Sequence, residues 1–203
     1  MYEKIAVLFP TAPESAPFSE RYPGKADVYI CGVGQCECAA AAARIFADHR
    51  PDAMILAGIA GAYHFSGMGL ADVVAVRQEN CADLGTLRSG GFLPLPFSFG
   101  GTSAANYYTD PHALYGRMHS VTSNTVAVAG TKYLNRYFTD ADIENMEGAA
   151  FFAVCRALGI PFAELRAISN IVGAPPADWN IPDAASNLAD ALAETIDCLR
   201  LKA

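Results

Sequence analysis

Residues 4–9, KIAVLF, form a short and nearly unbroken apolar run, which fits a strand covered on both faces. Further strand-like segments follow at Asp27–Cys31 (DVYIC), Asp52–Gly58 (DAMILAG), Asp72–Val76, Val121–Ala129 and Phe162–Ser169. Helical segments lie between and after them. Gln35–His49 places Ala42, Ile45, Phe46 and His49 on one stripe. Gly148–Leu158 is stopped by Gly159 and Pro161. A last helix begins at Asn180, Pro182 and Asp183 and buries Leu188, Leu192, Ile196 and Leu199. Strands alternating with helices imply an α/β fold with a mixed, largely parallel central sheet flanked by helices. No linker or internal repeat interrupts the chain, so residues 1–203 are expected to form a single domain. That length is enough for a continuous core.

Charge narrows the class of partner. A formal charge of −7 and the lack of any basic run argue against nucleic acid or an anionic membrane. The N-terminal apolar run is too short for a secretory signal, and no window reaches the length of a membrane span. A cytoplasmic location is the expectation. The six cysteines lie mostly within apolar segments and lack paired zinc spacing, and the four histidines show no ligand spacing. No metal or cofactor is expected, and no serine-nucleophile motif occurs. Gly32-Val33-Gly34 follows a strand, but Glu37 stands where a dinucleotide fingerprint needs its third glycine. A tight, closely packed turn is the better reading, and a dinucleotide-dependent oxidoreductase has little support.

Candidate chemistry gathers at strand ends. Pro10, Pro13 and Pro17 are expected to break regular structure and leave Glu14 on a loop at the carboxyl end of the first strand. Ligands bind at such ends in open α/β sheets, although a loop carboxylate is ordinarily just solvated. Gly58-Ile59-Ala60-Gly61-Ala62 forms a small-residue corner that lets backbone amides approach a ligand. Residues 81–117, rich in Gly, Pro, Phe and Tyr, read as a long loop with short irregular pieces. Gly130-Thr131 leads into a helical turn carrying Tyr133.

The segment 142–173 carries the sharpest signal. Glu147 stands at the mouth of an apolar helix, Arg166 lies inside an apolar strand, and Asn170 closes that strand. Polar groups in so apolar a setting either pair with each other or face a ligand. With period two, Arg166, Ile168 and Asn170 point to one side. Glu147, ionised at a helix N-terminus, offers two acceptors to a ribose diol. A buried Glu147–Arg166 ion pair that only shapes the core is an equal account of the spacing.

ENMEGAA at Glu144–Ala150 followed by LRAISN at Leu165–Asn170 resembles the nucleoside phosphorylase and nucleosidase superfamily. Gly32-Val33-Gly34, AGIAGA at Ala57–Ala62, the ADV at Ala71 and Val128–Thr131 extend the resemblance over nearly the whole chain. Within that superfamily ADLG at Ala82–Gly85, Ser169-Asn170 and WNIP at Trp179–Pro182 are most similar to the futalosine hydrolases, enzymes of menaquinone biosynthesis that release hypoxanthine. The resemblance implies a purine nucleoside substrate, no cofactor, and a homodimer or higher homo-oligomer. It implies that Met146 and Glu147 hold the ribose, and that Ala60 and Gly61 line the sugar side. Tyr133 would stack on the purine beside the backbone of Leu134. Glu14 would activate water, helped by Arg166. Adenine-cleaving nucleosidases carry Asp where Asn170 stands. An amide cannot protonate a leaving base but can donate to a 6-oxopurine, which favours hypoxanthine. Leu56 and Ile59 replace the Arg and Ser that a phosphorylase would use near the third strand, which favours water over phosphate. The alternatives are a methylthioadenosine/adenosylhomocysteine nucleosidase and a nucleoside-binding protein without catalysis.

Overall fold

The computed structural model describes residues 2–88, 91–94, 106–108, 118–130 and 141–201. Its central strand is β3 (Ala53–Ala62), buried along almost its whole length. On one side β10 (Phe162–Ile171) runs parallel to it from end to end. On the other side β3 changes partners. Ala53–Leu56 lie against part of β1 (Ile5–Phe9) in parallel, whereas Gly61 and Ala62 pair with β9 (Ile143–Asn145) in antiparallel fashion. Between Leu56 and Gly61 β1 and β9 part along the edge of β3, and a cavity opens there. Strand ends at such a switch of neighbours are the usual ligand position in α/β proteins.

The remaining strands complete the frame. β2 (Asp27–Ile30) extends the sheet beyond β1, while β4 (Val73–Cys81) pairs with β10 and with β8 (Ser120–Thr125). β8 then pairs with β9, so that β3, β10, β4, β8 and β9 close on themselves. Pairing is mostly parallel. The antiparallel contacts are β10–β4, β3–β9 and the addition of β7 (Asn106–Tyr108) to β4. β5 (Gly85–Arg88) and β6 (Gly91–Pro94) form a separate hairpin. The expected mixed sheet is therefore present. The described parts of 81–117 hold three short strands, and β4 runs five residues past the expected end at Val76, where Glu79 and Asn80 are buried and the strand still pairs with β8.

Helices cover both faces. α2 (Gln35–His49) and α3 (Gly148–Leu158) pack on a core that includes Ala6, Leu8, Ile45, Leu56, Phe151 and Phe152. α1 (Ala12–Arg21) and α4 (Ile181–Leu201) cover Ile5, Val7, Phe9, Phe18, Leu188 and Leu192. The residues of β1 thus alternate between two cores, as the unbroken apolar run requires. Phe152 meets Phe162 edge-on at 4.8 Å between ring centres, a favoured aromatic geometry. Full burial of such a ring stabilises by about 1.5–3 kcal/mol.

One expectation about local structure is corrected. Glu14 is not on a loop: it lies in the first turn of α1, and its side chain is buried. Pro13 stands in that first turn, where backbone N–H groups have no helical partner to lose. Pro17 forgoes one interior bond, and the helix persists because Glu14, Ser15 and Phe18 are buried on its inner face. A second departure concerns Val121–Ala129, whose strand ends at Thr125. The helical turn expected around Tyr133 lies outside the described residues.

Candidate active site

The cavity at the parting of β3 has a volume of about 560 Å³. Four chain segments supply its polar wall. α1 contributes Glu14, β3 contributes Ala60 and Gly61, the β9–α3 junction contributes Glu144, Met146 and Glu147, and the end of β10 contributes Ser169 and Asn170. Val33, Trp179 and Ile181 add apolar surface. Sequence positions more than 150 residues apart are joined here because β1, β3 and β10 end on the same side, where antiparallel β9 lies against the end of β3.

Glu14 is held by local chemistry. The Thr11 hydroxyl donates to its Oε2, and the Ile59 N–H donates to its Oε1 at 2.9 Å. Burial pushes its carboxyl above the ordinary value of 4.5, while Thr11, Ile59 and Arg166 pull the other way. Thr11 is the N-cap of α1, yet its side chain makes no cap bond and serves Glu14 instead.

Glu147 is the N-cap of α3, and its side chain likewise makes no cap bond. Its Oε1 accepts the Gly34 N–H at 2.9 Å, and its Oε2 accepts Arg166 Nη1 at 3.2 Å. The Gly32-Val33-Gly34 turn therefore cradles a carboxylate of the protein. Gly34 adopts φ +91, in the region that favours glycine. A carboxylate has about four acceptor positions, so Glu147 keeps capacity for two further donors from the cavity. The two accounts of Glu147 left open by its spacing coexist: it is ion-paired behind and exposed to the cavity in front.

Arg166 does not line the cavity. It is almost completely buried and donates to Glu164 through Nε at 2.7 Å, to Asn145 Oδ1 through Nη2 at 3.1 Å, and to Ile59 O and Glu147 through Nη1. Arg166 thus stands behind the wall, close to Glu14, and it meets the site through the groups it holds. The glycines of β3 make this possible. A Cβ on Gly58 would stand 2.6 Å from Arg166 Nη1 and 3.1 Å from Glu14 Oε1, and one on Gly61 would stand 3.1 Å from Asn170 Nδ2. AGIAGA is not a corner but a strand kept narrow so that long polar side chains can cross it.

Asn170 sits beyond an irregularity. The register of β10 against β3 shifts between Ile168 and Asn170, so strict period two does not hold across that span. The Ser169 hydroxyl donates to Asn170 Oδ1 at 2.8 Å, and Asn170 Nδ2 donates to Ile171 O at 3.2 Å. One N–H of the amide is left for the cavity. Glu144, which sequence reasoning did not single out, accepts from Gly130 N at 2.6 Å and Tyr63 Oη at 3.1 Å, and burial raises its carboxyl.

Six of the expected residues, Glu14, Ala60, Gly61, Met146, Glu147 and Asn170, therefore share one cavity wall. Tyr133 and Leu134 lie outside the described residues. Among the described residues no group of His, Cys, Asp and Glu is arranged to hold a metal, and no helix is long and apolar enough to cross a membrane.

Comparison with known proteins places this geometry. Residues 21–197 match the family model of the phosphorylase superfamily. The futalosine hydrolase of Thermus thermophilus is 35% identical over 212 residues, covering 92% of each chain. That of Streptomyces coelicolor is 32% identical over 188 residues, covering 85% of this chain and 79% of the other. The structure of the Helicobacter pylori futalosine hydrolase superposes with a TM-score of 0.82 at 18% identity, over 97% of this chain and 98% of that one. The Arabidopsis thaliana 5'-methylthioadenosine nucleosidase gives 0.81 at 18%, over 98% and 96%. On the sequence matches and the shared fold together, the chain belongs to the phosphorylase superfamily, within its futalosine hydrolase family.

Proposed function

We infer that this chain hydrolyses the N-glycosidic bond of futalosine, releasing hypoxanthine and dehypoxanthine futalosine, a reaction that belongs to menaquinone biosynthesis. The observation that carries the reading is the charge of the cavity wall. Glu14, Glu144 and Glu147 face it, and no Lys, Arg or His is among the described residues that line it. A phosphate nucleophile would meet only carboxylates there, whereas water needs one of them as a base. The sequence relatives point to the same substrate.

In this reading Glu147, with Met146, holds the ribose hydroxyls, and Ala60 and Gly61 line the sugar. Glu14 takes the proton of the attacking water. Its burial supports that role, since a raised pKa brings a carboxylate nearer to an effective base at neutral pH. Asn170 donates to the 6-oxopurine and stabilises charge building on the leaving base. Tyr133 and Leu134 are assigned to the purine by resemblance alone. Arg166 acts as a positioning residue behind Glu147 and Glu14. The protein works as a cytoplasmic homodimer, with residues 1–203 as one domain. Half-exposed Val33, Phe65 and Val128 offer apolar surface for a second copy.

The test is to offer futalosine, inosine and methylthioadenosine, each with and without phosphate, and to follow the free base. Hypoxanthine from futalosine, independent of phosphate, is expected; adenine from methylthioadenosine would overturn the assignment. Asn170→Asp is expected to lower futalosine turnover about 10–100-fold and to introduce cleavage of an adenine nucleoside, because the new acid can protonate the base. Unchanged specificity in that variant would remove Asn170 from its role.

A further inference from the structure

Behind the cavity wall stand two carboxyl groups that the proposed reaction leaves unused. Glu79 on β4 and Glu164 on β10 are both fully buried, and an oxygen of each stands beside the same point, the place that a Cβ on Gly148 would take. An ionised carboxylate only accepts and like charges repel, so two carboxyls buried side by side against one shared cation favour a proton on one of them. The surrounding charge points the same way. Glu147, Glu164 and Glu79 all act on one guanidinium, that of Arg166, with Glu14 close by.

The donors indicate where the proton sits. Arg166 Nε donates to Glu164 Oε1 at 2.7 Å, which marks Glu164 as the ionised member. Among the described residues the hydrogen-bond partners of Glu79 are neutral: Asn145 Nδ2 donates to its Oε1 at 2.6 Å, and Thr125 Oγ1 lies 2.7 Å from its Oε2. Burial, reinforced by neighbouring Glu164, pushes the Glu79 carboxyl well above its ordinary value, while Arg166 tempers Glu164. Among the described residues the other titratable groups facing the pair include Glu147 at the start of α3, Tyr63 just after β3 and Cys81 at the end of β4. Burial also raises Tyr63 and Cys81, so both are neutral. The pair has a built place: a Cβ on Gly148 would lie 2.2 Å from Glu79 Oε1 and 2.8 Å from Glu164 Oε1. Glycine at the first residue of α3 admits both carboxyls.

We propose that Glu79 and Glu164 share one proton, carried on Glu79, and form a positioning device that fixes Arg166 and Asn145 and, through them, the Glu147 carboxylate. The link is direct. Asn145 Oδ1 accepts from Glu147 N, Gly148 N and Arg166 Nη2, and its Nδ2 is anchored on Glu79 and Ser123. The kinetic consequence rests on the reading of Glu147 as the group that grips the sugar.

Two isosteric variants of the full chain test it. Glu79→Gln keeps a neutral donor where the neutral acid stands, and kcat/KM for futalosine is expected within about threefold of the parent. Glu164→Gln strips Arg166 of a buried partner, and kcat/KM is expected to fall about a hundredfold. Neither removes volume, so a role in packing alone predicts equal losses, and equal losses would overturn the proposal. A second readout needs no turnover. The folded pKa of Glu79 lies above the unfolded value, so this contribution to stability is full below the unfolded value and is lost as pH rises toward the folded one. From about pH 6 upward, the parent's folding constant should therefore fall about tenfold per pH unit more steeply than that of Glu79→Gln. Equal slopes in urea unfolding would refute the shared proton. If the parent releases no base from any nucleoside, the functional reading fails, and the slopes still decide the proton.

Discussion

The cavity wall and the layer directly behind it use the same kinds of residue and differ in how completely those residues are satisfied. On the wall, Glu147 accepts one hydrogen bond on each oxygen, Glu14 does the same, and Asn170 retains an amide N–H. Behind it Arg166 donates from all three of its nitrogens, and Asn145, which reaches from that layer to the cavity's edge, accepts three bonds and donates two through its amide. Groups offered to a ligand keep spare hydrogen-bonding capacity, while Asn145 and Arg166, which aim them, have used most of theirs. A buried network of the second kind holds a geometry because every alternative leaves an orphaned polar group. The two layers should therefore fail differently when they are cut.

The largest effect is expected behind the wall. Arg166→Leu leaves Glu147 and Glu164 buried without their cation, and removing one partner of such a pair costs about 3–5 kcal/mol. Chemical denaturation should show that loss together with a collapse of turnover. Stability within about 1 kcal/mol of the parent would mean that the layer is not the rigid support its hydrogen bonds suggest.

On the wall the order reverses. Glu14→Gln should lower kcat about 10²–10⁴-fold, the usual range for a general base, without loss of stability. Because burial raises the Glu14 pKa, its folded value exceeds its unfolded one, and its ionisation costs stability as pH rises from 4.5 through the folded value. At neutral pH the amide variant should match or exceed the parent in denaturant midpoint. A variant both inactive and destabilised would move Glu14 into the supporting layer.

This division also marks what the sequence could disclose. The apolar run of β1 and the stripe of α4 were legible because burial imposes a period; that of α2 was legible in part, since Ala42 and Ile45 are buried while His49 is exposed. Glu14, Glu147 and Asn170 were legible as polar residues at the ends of apolar elements, and the motifs around them pointed to a nucleosidase. The supporting layer was harder to read. Glu79 falls past the point where β4 stops looking apolar, since RQEN gives no sign that strand β8 and helix α3 will bury it. Glu164 stands two residues before Arg166 on one strand and could have signalled a buried pair by that spacing. What its spacing could not supply was the third group, Asn145, which enters from β9. The prolines of α1 misled for a different reason: breaker residues report on backbone bonds, and a first helical turn has few to break.

The smallest effect distinguishes the layers most finely. Thr11→Val removes the hydroxyl that donates to Glu14 Oε2 while leaving the shape of the α1 N-terminus intact, since that side chain makes no cap bond. A hydrogen bond to the ionised form lowers a carboxyl pKa, so its loss should raise that of Glu14 further above 4.5. The reaction needs Glu14 ionised, so the acid limb of kcat/KM should move to higher pH while the plateau above it stays at the parent's level. Stability should change by no more than about 1 kcal/mol, the typical worth of one hydrogen bond. A limb that stays in place would show that the titrating group in turnover is another wall carboxylate, and Glu144, also raised by burial, would be the next to substitute.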